Sequence, residues 1–397
     1  MQAINLDHNA TTPLHPQVCK ALDAAMRAEY ANPASQHAAG RRARRALEDT
    51  RERMLELLGA RRSGVHLLLT SGGTEANNLA LFGLAGQTPG RIIVSSIEHP
   101  SVLAVAKRLE QRGWDVVRLA VSSDGVVDLD QLRDALKLST RLVSLMWANA
   151  ETGVLQPIAA AAELCCTAGV TLHTDAVQAV GKLPVDFDRL GAGALSVAAH
   201  KFQGPRGIGA LLVDASLPLE RVLCGSVQQQ GLRPGTESVE LALAMCQALE
   251  VWAAEVTQRE DRLTTLRERF ESLLRAARPK LVVNGGRVGR LPNTSNVSFL
   301  GFDRQELFVA LDLAGVQCST GSACASGSSE PSPVLRAMGL ADEVLASALR
   351  FSLGATTTPA EIDEAAARIL QVCNDLERSN RCRKIAATPP VGTANSL

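Results

Sequence analysis

A lysine in a glycine-rich turn is the most reactive candidate in the sequence. Lys201 follows an apolar segment and precedes Gly204 and Gly207, which would let another group approach closely. A lysine in such a setting can lose its proton and bond covalently to a carbonyl compound. A single lysine is nevertheless more often a surface residue, so Lys201 needs partners before it indicates chemistry.

Two other segments contain candidate cofactor-binding groups. One is a turn that could bind an anion, and the other has a carboxylate at the end of an apolar run. Residues 70–78, which include Gly73 and Thr74, follow an apolar run and open a helical pattern, so backbone N–H groups and the Thr74 hydroxyl could hold a phosphate. Asp175 ends a second apolar run, where a carboxylate is costly unless a cation is near. Each segment also has a plainer interpretation, a tight turn in the first case and a helix cap in the second.

The order of these three features indicates a cofactor. An anion-binding turn, a carboxylate at a strand end and a lysine on the next strand and turn would supply a phosphate anchor, a partner for a protonated pyridine nitrogen and a covalent attachment point. Pyridoxal-5′-phosphate (PLP) needs all three of these groups. The combination therefore predicts a PLP enzyme.

The thiol best suited to react lies in a run of small residues, 318–331. Cys324 stands in the middle of this run, which has no packing periodicity and is predicted to be a mobile loop. Cys318 instead ends an apolar stretch and is predicted to be structural. The nine cysteines show neither zinc-ligand spacing nor a CxxC motif, so we expect reduced thiols and no metal site.

Composition limits the class of protein. The 397 residues are 46% hydrophobic and 21% charged, which is enough to bury a large core in two domains. Lys+Arg and Asp+Glu both number 41, so no overall field favours nucleic acid or anionic lipid. We find no signal-peptide pattern at the start and no apolar run that could span a bilayer, and we expect a cytoplasmic enzyme without a membrane or direct nucleic-acid partner.

Alternating apolar runs and helical patterns predict an α/β fold with a largely parallel sheet. The candidate site residues follow these runs, at the end of the sheet where ligands usually bind. The six predicted strands are 66–70, 91–96, 141–147, 170–174, 194–198 and 208–213.

A long helical pattern at 241–277 is predicted to lead into a second, smaller domain. We expect a large domain at 14–255 and a small α+β domain formed by 1–13 and 256–380. From Arg381 the periodicity ends, and 381–397 is predicted to be a disordered tail.

These motifs, in this order, resemble those of the group I cysteine desulfurases, within the class-V aminotransferase family of PLP enzymes. The resemblance covers nearly the whole sequence and preserves the order of the motifs. The matching segments are 6–13 (LDHNATTP), 32–35 (NPAS), 98–100 (EHP), 233–236 (RPGT), 321–324 (GSAC) and 350–354 (RFSLG).

The resemblance implies PLP fold type I and a homodimer with sites at the interface. Lys201 would attach PLP and move the Cα proton, and His99 would stack on the ring and shuttle protons. Asp175 would pair with the pyridine nitrogen and Gln178 with the ring oxygen. The phosphate would be held by Gly73, Thr74, His200 and, from the other subunit, Thr236.

The resemblance also implies how L-cysteine would be handled. Arg350 would hold the substrate carboxylate, with Asn149 nearby, and Cys324 would attack the substrate sulfur to give alanine and a persulfide. The persulfide would pass to an acceptor protein in iron–sulfur cluster assembly or another thiolation pathway.

Three positions depart from the family pattern. Ala150 replaces the second Asn of an Asn-Asn-Glu motif, Ala198 replaces a phosphate-binding serine, and Gln229 with Gln230 replaces Glu-Arg. We therefore expect an active enzyme with loosened cofactor binding. Alternative interpretations are a selenocysteine lyase-type enzyme, a PLP aminotransferase, and a non-catalytic homologue that has lost the cofactor.

Overall fold

Twelve β-strands are found in the computed structural model of this chain, which describes residues 3–321 and 330–387. The strands are β1 (Ile4–Asn5), β2 (Val65–Thr70), β3 (Arg91–Ser95), β4 (Asp115–Leu119), β5 (Leu142–Met146), β6 (Thr171–Asp175), β7 (Ala194–Ala198), β8 (Gly209–Asp214), β9 (Val282–Asn284), β10 (Thr294–Ser298), β11 (Val316–Gln317) and β12 (Ala348–Ser352).

Twelve α-helices connect and cover these strands within the same described ranges. They are α1 (Pro16–Arg27), α2 (Ala38–Leu57), α3 (Gly73–Ala85), α4 (Pro100–Glu110), α5 (Leu129–Ala135), α6 (Ile158–Thr167), α7 (Phe187–Leu190), α8 (Val239–Ala277), α9 (Arg304–Leu313), α10 (Pro333–Ala337), α11 (Asp342–Ala346) and α12 (Pro359–Ala387). None of them has the length and apolar character that a bilayer span requires.

A seven-stranded sheet in the order β2-β8-β7-β6-β5-β3-β4 forms the centre of the larger part of the molecule. Only β8 runs antiparallel to its neighbours, and the remaining pairs are parallel. The predicted α/β fold class is therefore confirmed. All six predicted strands lie within one residue of an observed strand. The sequence pattern missed β4, because only one residue of this edge strand is buried and it reads Asp-Val-Val-Arg-Leu.

Helices cover both faces of this sheet, so its central strands are apolar on both sides. Ile92 and Val94 of β3 pack into a core that includes α3 and α4, whereas Ile93 packs into the larger core on the opposite face. This alternation follows from the two-residue period of a β-strand. Every residue of β5 is buried, as expected for a strand covered by helices on both faces.

The long helix α8 contacts both main cores of the molecule. Its Trp252 belongs to the core of the large sheet, and its Leu263 and Phe270 belong to a second core. That second core also contains Ile4 and Leu6 from the start of the chain. It is built on the antiparallel sheet β12-β10-β9 and the parallel pair β1-β11.

The chain ends differ partly from the expected arrangement. Helix α12 continues through Ala387, beyond Arg381, where the sequence was expected to lose regular structure. The segment Arg-Lys-Ile-Ala-Ala at 383–387 contains strong helix formers and extends the helix without needing an apolar periodicity. Residues 388–397 lie outside the described ranges, and the division into 14–255 and 256–380 stays a prediction.

Replacing Phe270 tests the packing of the second core. Phe270 is fully buried, and its ring centroid lies 5.2 Å from that of Phe351. Phe270→Ala leaves a cavity, so we expect a loss of about 3–5 kcal/mol in the free energy of unfolding by urea. Leu313→Ala is the control, because Leu313 of α9 is 84% exposed and its loss should cost less than about 0.5 kcal/mol. Equal losses in the two variants would contradict this core.

Candidate active site

Two adjoining cavities lie at the carboxyl ends of the parallel strands, where the predicted site residues converge. The larger has a volume of about 210 Å³, and the smaller has a volume of about 60 Å³. Both are lined by His99, Gln178 and Lys201. The larger cavity adds Gly73, Thr74, Asn77, Asp175, Ala198 and His200, and the smaller adds Asn9, Glu98, Asn149, Glu151 and Arg350.

The start of the chain holds the lysine that lines both cavities. Lys201 ends a short 3-10 helix directly after β7, and its Nζ donates to the carbonyl oxygens of Asn9 at 2.6 Å and Ala10 at 2.9 Å. The N–H and the hydroxyl of Thr12 both donate to the carbonyl of His200. Residues 9–12 therefore fix the turn that carries Lys201.

A carboxylate at the end of β6 lies at the wall of the larger cavity. Asp175 is 6% exposed and accepts hydrogen bonds from the Asn77 amide at 2.7 Å and the Val177 N–H at 3.0 Å. Both of these partners, found among the described residues, are neutral. The carboxylate oxygens thus have hydrogen-bond donors, but no opposite charge among these two partners. A cation bound in the cavity would therefore interact favourably with Asp175.

The amino end of α3 forms another part of the wall. Its N-cap is Gly72, and no side chain in the described part of the chain caps this helix. A side chain at Gly73 would meet the Val177 methyl group at 2.6 Å, so glycine allows the first turn of α3 to lie against the segment after β6. N–H groups at a helix start attract anions, and Thr74 adds a hydroxyl beside them.

The basic side chain of His200 lines the larger cavity, and that of Lys182 hydrogen-bonds to Gln178 of its wall. Burial, with Lys201 and Arg206 nearby, lowers the pKa of His200 to about 4, so its imidazole is neutral at neutral pH. Gln178 donates from Nε2 to the Asn9 carbonyl and accepts a short hydrogen bond from Nζ of Lys182. Burial lowers the pKa of Lys182 well below its ordinary value, and the charges of Lys201 and Arg350 lower it further.

An arginine from the smaller part of the molecule lines the second cavity. The Arg350 side chain forms an ion pair with Asp7 at 2.6 Å and donates to the carbonyl of Ala150 at 3.1 Å. Its Nε is buried and has no hydrogen-bond partner among the described residues. Asp7 and the Ala150 carbonyl thus orient a cation that could bind a carboxylate in the cavity.

Asn149 lines the same cavity, but its amide is engaged within its own loop. Its Oδ1 accepts from the N–H groups of Glu151 and Thr152, and its Nδ2 donates to the carbonyl of Ile97. A contact with substrate would need one of these bonds to be replaced, so the substrate role of Asn149 stays a prediction.

Comparison with known proteins places the chain in a family. The model of the family described as "Aminotransferase class-V" matches residues 4–365. The chain belongs to the class-V aminotransferase family. A relative named cysteine desulfurase from Cereibacter sphaeroides is 42% identical over 375 residues, which cover 94% of this chain and 95% of that protein. The resemblance to the cysteine desulfurases is therefore confirmed.

Two solved structures share the architecture of most of this chain. A NifS-like protein from Rickettsia africae is 29% identical, with a TM-score of 0.86, and the match covers 94% of this chain and all of that one. A structure of SspA in complex with cysteine is 32% identical, with a TM-score of 0.77, over 89% of this chain and 99% of that one. The fold expected of a class-V enzyme is thus confirmed.

Two of the predicted site residues lie away from the paired cavities or outside the described residues. Thr236 lines a separate cavity of about 590 Å³ together with residues of α2 and β2, and Lys201 does not line that cavity. Cys324 lies in 322–329, outside the described residues. Cys318, which was predicted to be structural, is buried, and this burial raises the pKa of its thiol well above the ordinary value.

Several site residues were not predicted from the sequence. Asp7 and Asn9 lie in the segment 6–13, which contributed only to the family resemblance. Asp7 contacts Arg350, 343 positions away, and Asn9 contacts Lys201, 192 positions away. Lys182 lies four positions after Gln178 and carried no signal of burial. Asn77 was part of the predicted turn, but its contact with Asp175 spans 98 positions.

The departures from the family pattern have distinct settings. The backbone carbonyl of Ala150 accepts hydrogen bonds from Arg350 and Asn9, and a carbonyl is present whatever the side chain. Ala198 lines the larger cavity with a methyl group. The Gln229 amide pairs with the N–H and the carbonyl of Leu69, which attaches its loop to β2.

Glu98 is a buried acid that carries no signal of burial in the sequence. Its Oε1 accepts hydrogen bonds from the Ser95 hydroxyl and the Met146 N–H, while its Oε2 has no partner within the described residues. Burial raises the pKa of Glu98 to about 8. The carboxyl group is therefore mainly protonated at neutral pH, beside His99.

The pKa of Glu98 gives a pH-dependent test. Between pH 4.5 and 8 the folded protein keeps a proton that the unfolded chain releases, so this residue lowers stability as pH rises. Glu98→Gln removes this effect. We expect the stability of the variant, relative to the natural protein, to improve by about 1 kcal/mol per pH unit from pH 5 to pH 8 in urea unfolding of the PLP-free protein.

Glu163→Gln is the matched control, because Glu163 is an exposed acid on α6. Its stability difference from the natural protein should stay constant over the same range of pH. A constant difference for Glu98→Gln as well would mean that Glu98 is ionised in the folded protein.

Proposed function

We propose that this member of the class-V aminotransferase family is a cysteine desulfurase that moves sulfur from L-cysteine onto Cys324 and releases L-alanine. One observation carries the proposal: the amine of Lys201, the carboxylate of Asp175 and the uncapped start of α3 line one cavity. Arg350 lines the adjoining one. The named relatives and the likeness to SspA in complex with cysteine support the same substrate.

The residues of the larger cavity fit PLP in charge and in kind. Asp175 has only neutral hydrogen-bond partners among the described residues, and a protonated pyridine nitrogen would meet its charge. The start of α3, with Gly73 and Thr74, suits a phosphate. Lys201 would bind the aldehyde, and Gln178 would face the ring oxygen.

PLP, when bound, withdraws electrons from the α-carbon of an amino acid. The chain's own residues would then do the remaining work. Arg350, oriented by Asp7, would hold the substrate carboxylate and so fix the α-carbon near the Lys201 amine, which would take up the Cα proton at Nζ. His99 would lie beside the ring.

Cys324 would accept the sulfur. Its thiolate attacks the sulfur of the substrate, a sulfur–sulfur bond forms, and the carbon–sulfur bond breaks. The electron pair stays with the carbon fragment, which takes up a proton and leaves as alanine. The balance is L-cysteine plus a thiol giving L-alanine plus a persulfide, and no external oxidant or reductant is needed.

A homodimer explains the position of Thr236. This residue lines a cavity separate from the one that contains Lys201, so a phosphate contact from Thr236 would have to reach a second copy of the chain.

We propose that the persulfide passes to a separate acceptor protein, whose pathway is either iron–sulfur cluster assembly or another thiolation reaction.

The reaction is tested by mixing PLP-reconstituted protein with L-cysteine and a reductant and measuring sulfide and alanine. The natural protein should give equal amounts of both products, and Cys324→Ala should give neither, because the sulfur has no thiol to attack it. Cys166→Ala is the control, since it removes an exposed thiol of α6 and should leave both products unchanged.

Other outcomes would contradict the desulfurase. Turnover of selenocysteine that survives in Cys324→Ala would support a selenocysteine lyase. Conversion of L-cysteine to its 2-oxo acid, 3-mercaptopyruvate, with amination of a keto-acid acceptor would support an aminotransferase. A protein that stays colourless at the PLP absorption band after incubation with PLP would be a non-catalytic homologue.

Restoring a hydroxyl beside the proposed phosphate site should tighten cofactor binding. Ala198→Ser adds a donor to the wall of the larger cavity, and a hydrogen bond to a charged group is worth about 1.5–3 kcal/mol. We expect the dissociation constant of PLP, measured by absorbance titration, to fall by about 10-fold or more. Ala194→Ser, at the other end of β7, should leave it unchanged. An unchanged constant in Ala198→Ser would place the phosphate elsewhere.

A further inference from the structure

The imidazole of His99 receives its hydrogen bonds on one side from the start of α4. His99 is the N-cap of this helix, and its Nδ1 accepts the Ser101 N–H at 3.1 Å. The hydroxyl of Ser101 lies 2.7 Å from the same nitrogen. A backbone N–H can only donate, so a neutral His99 in this position carries no proton on Nδ1.

The direction of the Ser101 hydroxyl is set by a second side chain. The Asn77 amide donates one hydrogen to Ser101 Oγ at 2.9 Å and the other to Asp175 at 2.7 Å. The carboxylate can only accept, which requires the NH₂ group of Asn77 to face it. Ser101 Oγ therefore accepts from Asn77, and its own proton is available to donate to His99 Nδ1.

We propose that Asn77 and Ser101 are positioning residues that hold neutral His99 with its proton on Nε2. Asn77 is 1% exposed and Ser101 is 7% exposed, so water does not compete for these bonds. The hydrogen bonds link Asp175 to Asn77, Asn77 to Ser101, and Ser101 to His99. Asp175, the proposed partner of the cofactor nitrogen, can only accept. The proposal rests on the proposed function only in treating the paired cavities as the active site.

The consequence concerns what His99 can do for a bound substrate. Because Nδ1 accepts from Ser101, the proton of the neutral ring is on Nε2, and this nitrogen is a hydrogen-bond donor. Burial lowers the pKa of His99, and the charge of Asp175 opposes this effect while that of Lys201 adds to it. Neutral His99 thus polarises a bound group, and a proton acceptor for the substrate thiol has to be another group, such as the Lys201 amine.

Nitrogen-15 NMR of the histidine rings tests this assignment directly. The chain has seven histidines, and two-bond proton–nitrogen spectra of ¹⁵N-histidine-labelled protein distinguish the two neutral ring forms. The full chain is measured with and without added PLP, and no turnover is needed. The proposal and the desulfurase activity can therefore fail independently. A neutral His99 protonated on Nδ1 in the natural protein would overturn the proposal without any variant.

Two substitutions test whether the side chains set the ring form. Asn77→Leu and Ser101→Ala each weaken the hydrogen bonding that favours the unprotonated Nδ1. We expect the pKa of His99, followed by its ring shifts, to rise by about one pH unit and the Nδ1-protonated form to become detectable. An unchanged pKa and ring form in both variants would overturn the proposal, because the backbone N–H of Ser101 alone would then determine which ring nitrogen of His99 carries the proton.

Two controls accompany this experiment. His173 is a second buried histidine whose ring nitrogens lie 2.9 Å from Ser144 Oγ and Ser196 Oγ, and its signals should not move in either variant. Asn78→Leu repeats the change one position further along α3, where the amide donates to the Thr74 carbonyl and to no other group of the described residues. It should leave the ring form and the pKa of His99 as they are in the natural protein.

Discussion

A carboxylate at the end of a buried strand must be met by donors or by a cation, because burial removes the water that would otherwise solvate its charge. Asp175 ends β6 in this way, and its two described partners are neutral. The first of them, Asn77, is thereby fixed in orientation, and through Ser101 it fixes the hydrogen bonding of His99. One buried charge thus orders the side chains that face the proposed cofactor site.

The second constraint is the attachment of the start of the chain to both parts of the molecule. Asp7 pairs with Arg350 of β12, while the carbonyl groups of Asn9 and Ala10 accept from Lys201, in the short 3-10 helix that follows β7 of the large sheet. Asn9 also donates to the carbonyl of Ala150. The proposed carboxylate-binding residue and the proposed cofactor-binding lysine are therefore positioned by the same few residues, and their separation is fixed by the fold.

The departures from the family pattern are tolerated for physical reasons that differ between positions. At Ala150 the interaction that matters in this structure is made by the backbone carbonyl, so the loss of a side-chain amide leaves the orientation of Arg350 intact. At Gln229 the side chain can both donate to and accept from the backbone of Leu69, which a carboxylate could not do. At Ala198 the missing hydroxyl's hydrogen bond is not replaced, because the side chain is a methyl group. This departure is therefore the one expected to weaken binding of the proposed cofactor most directly.

The sequence by itself determined the fold class and six strands of the large sheet, because buried strands are apolar without interruption and each ends at a polar turn. It also predicted that Lys201, Asp175, Gly73 and His99 would converge, since parallel strands end at one edge. Tertiary structure decided the contacts between distant segments. Asp7 with Arg350 and Asn77 with Asp175 have no local signal, because hydrogen bonds between residues far apart in the chain leave no periodicity in the sequence.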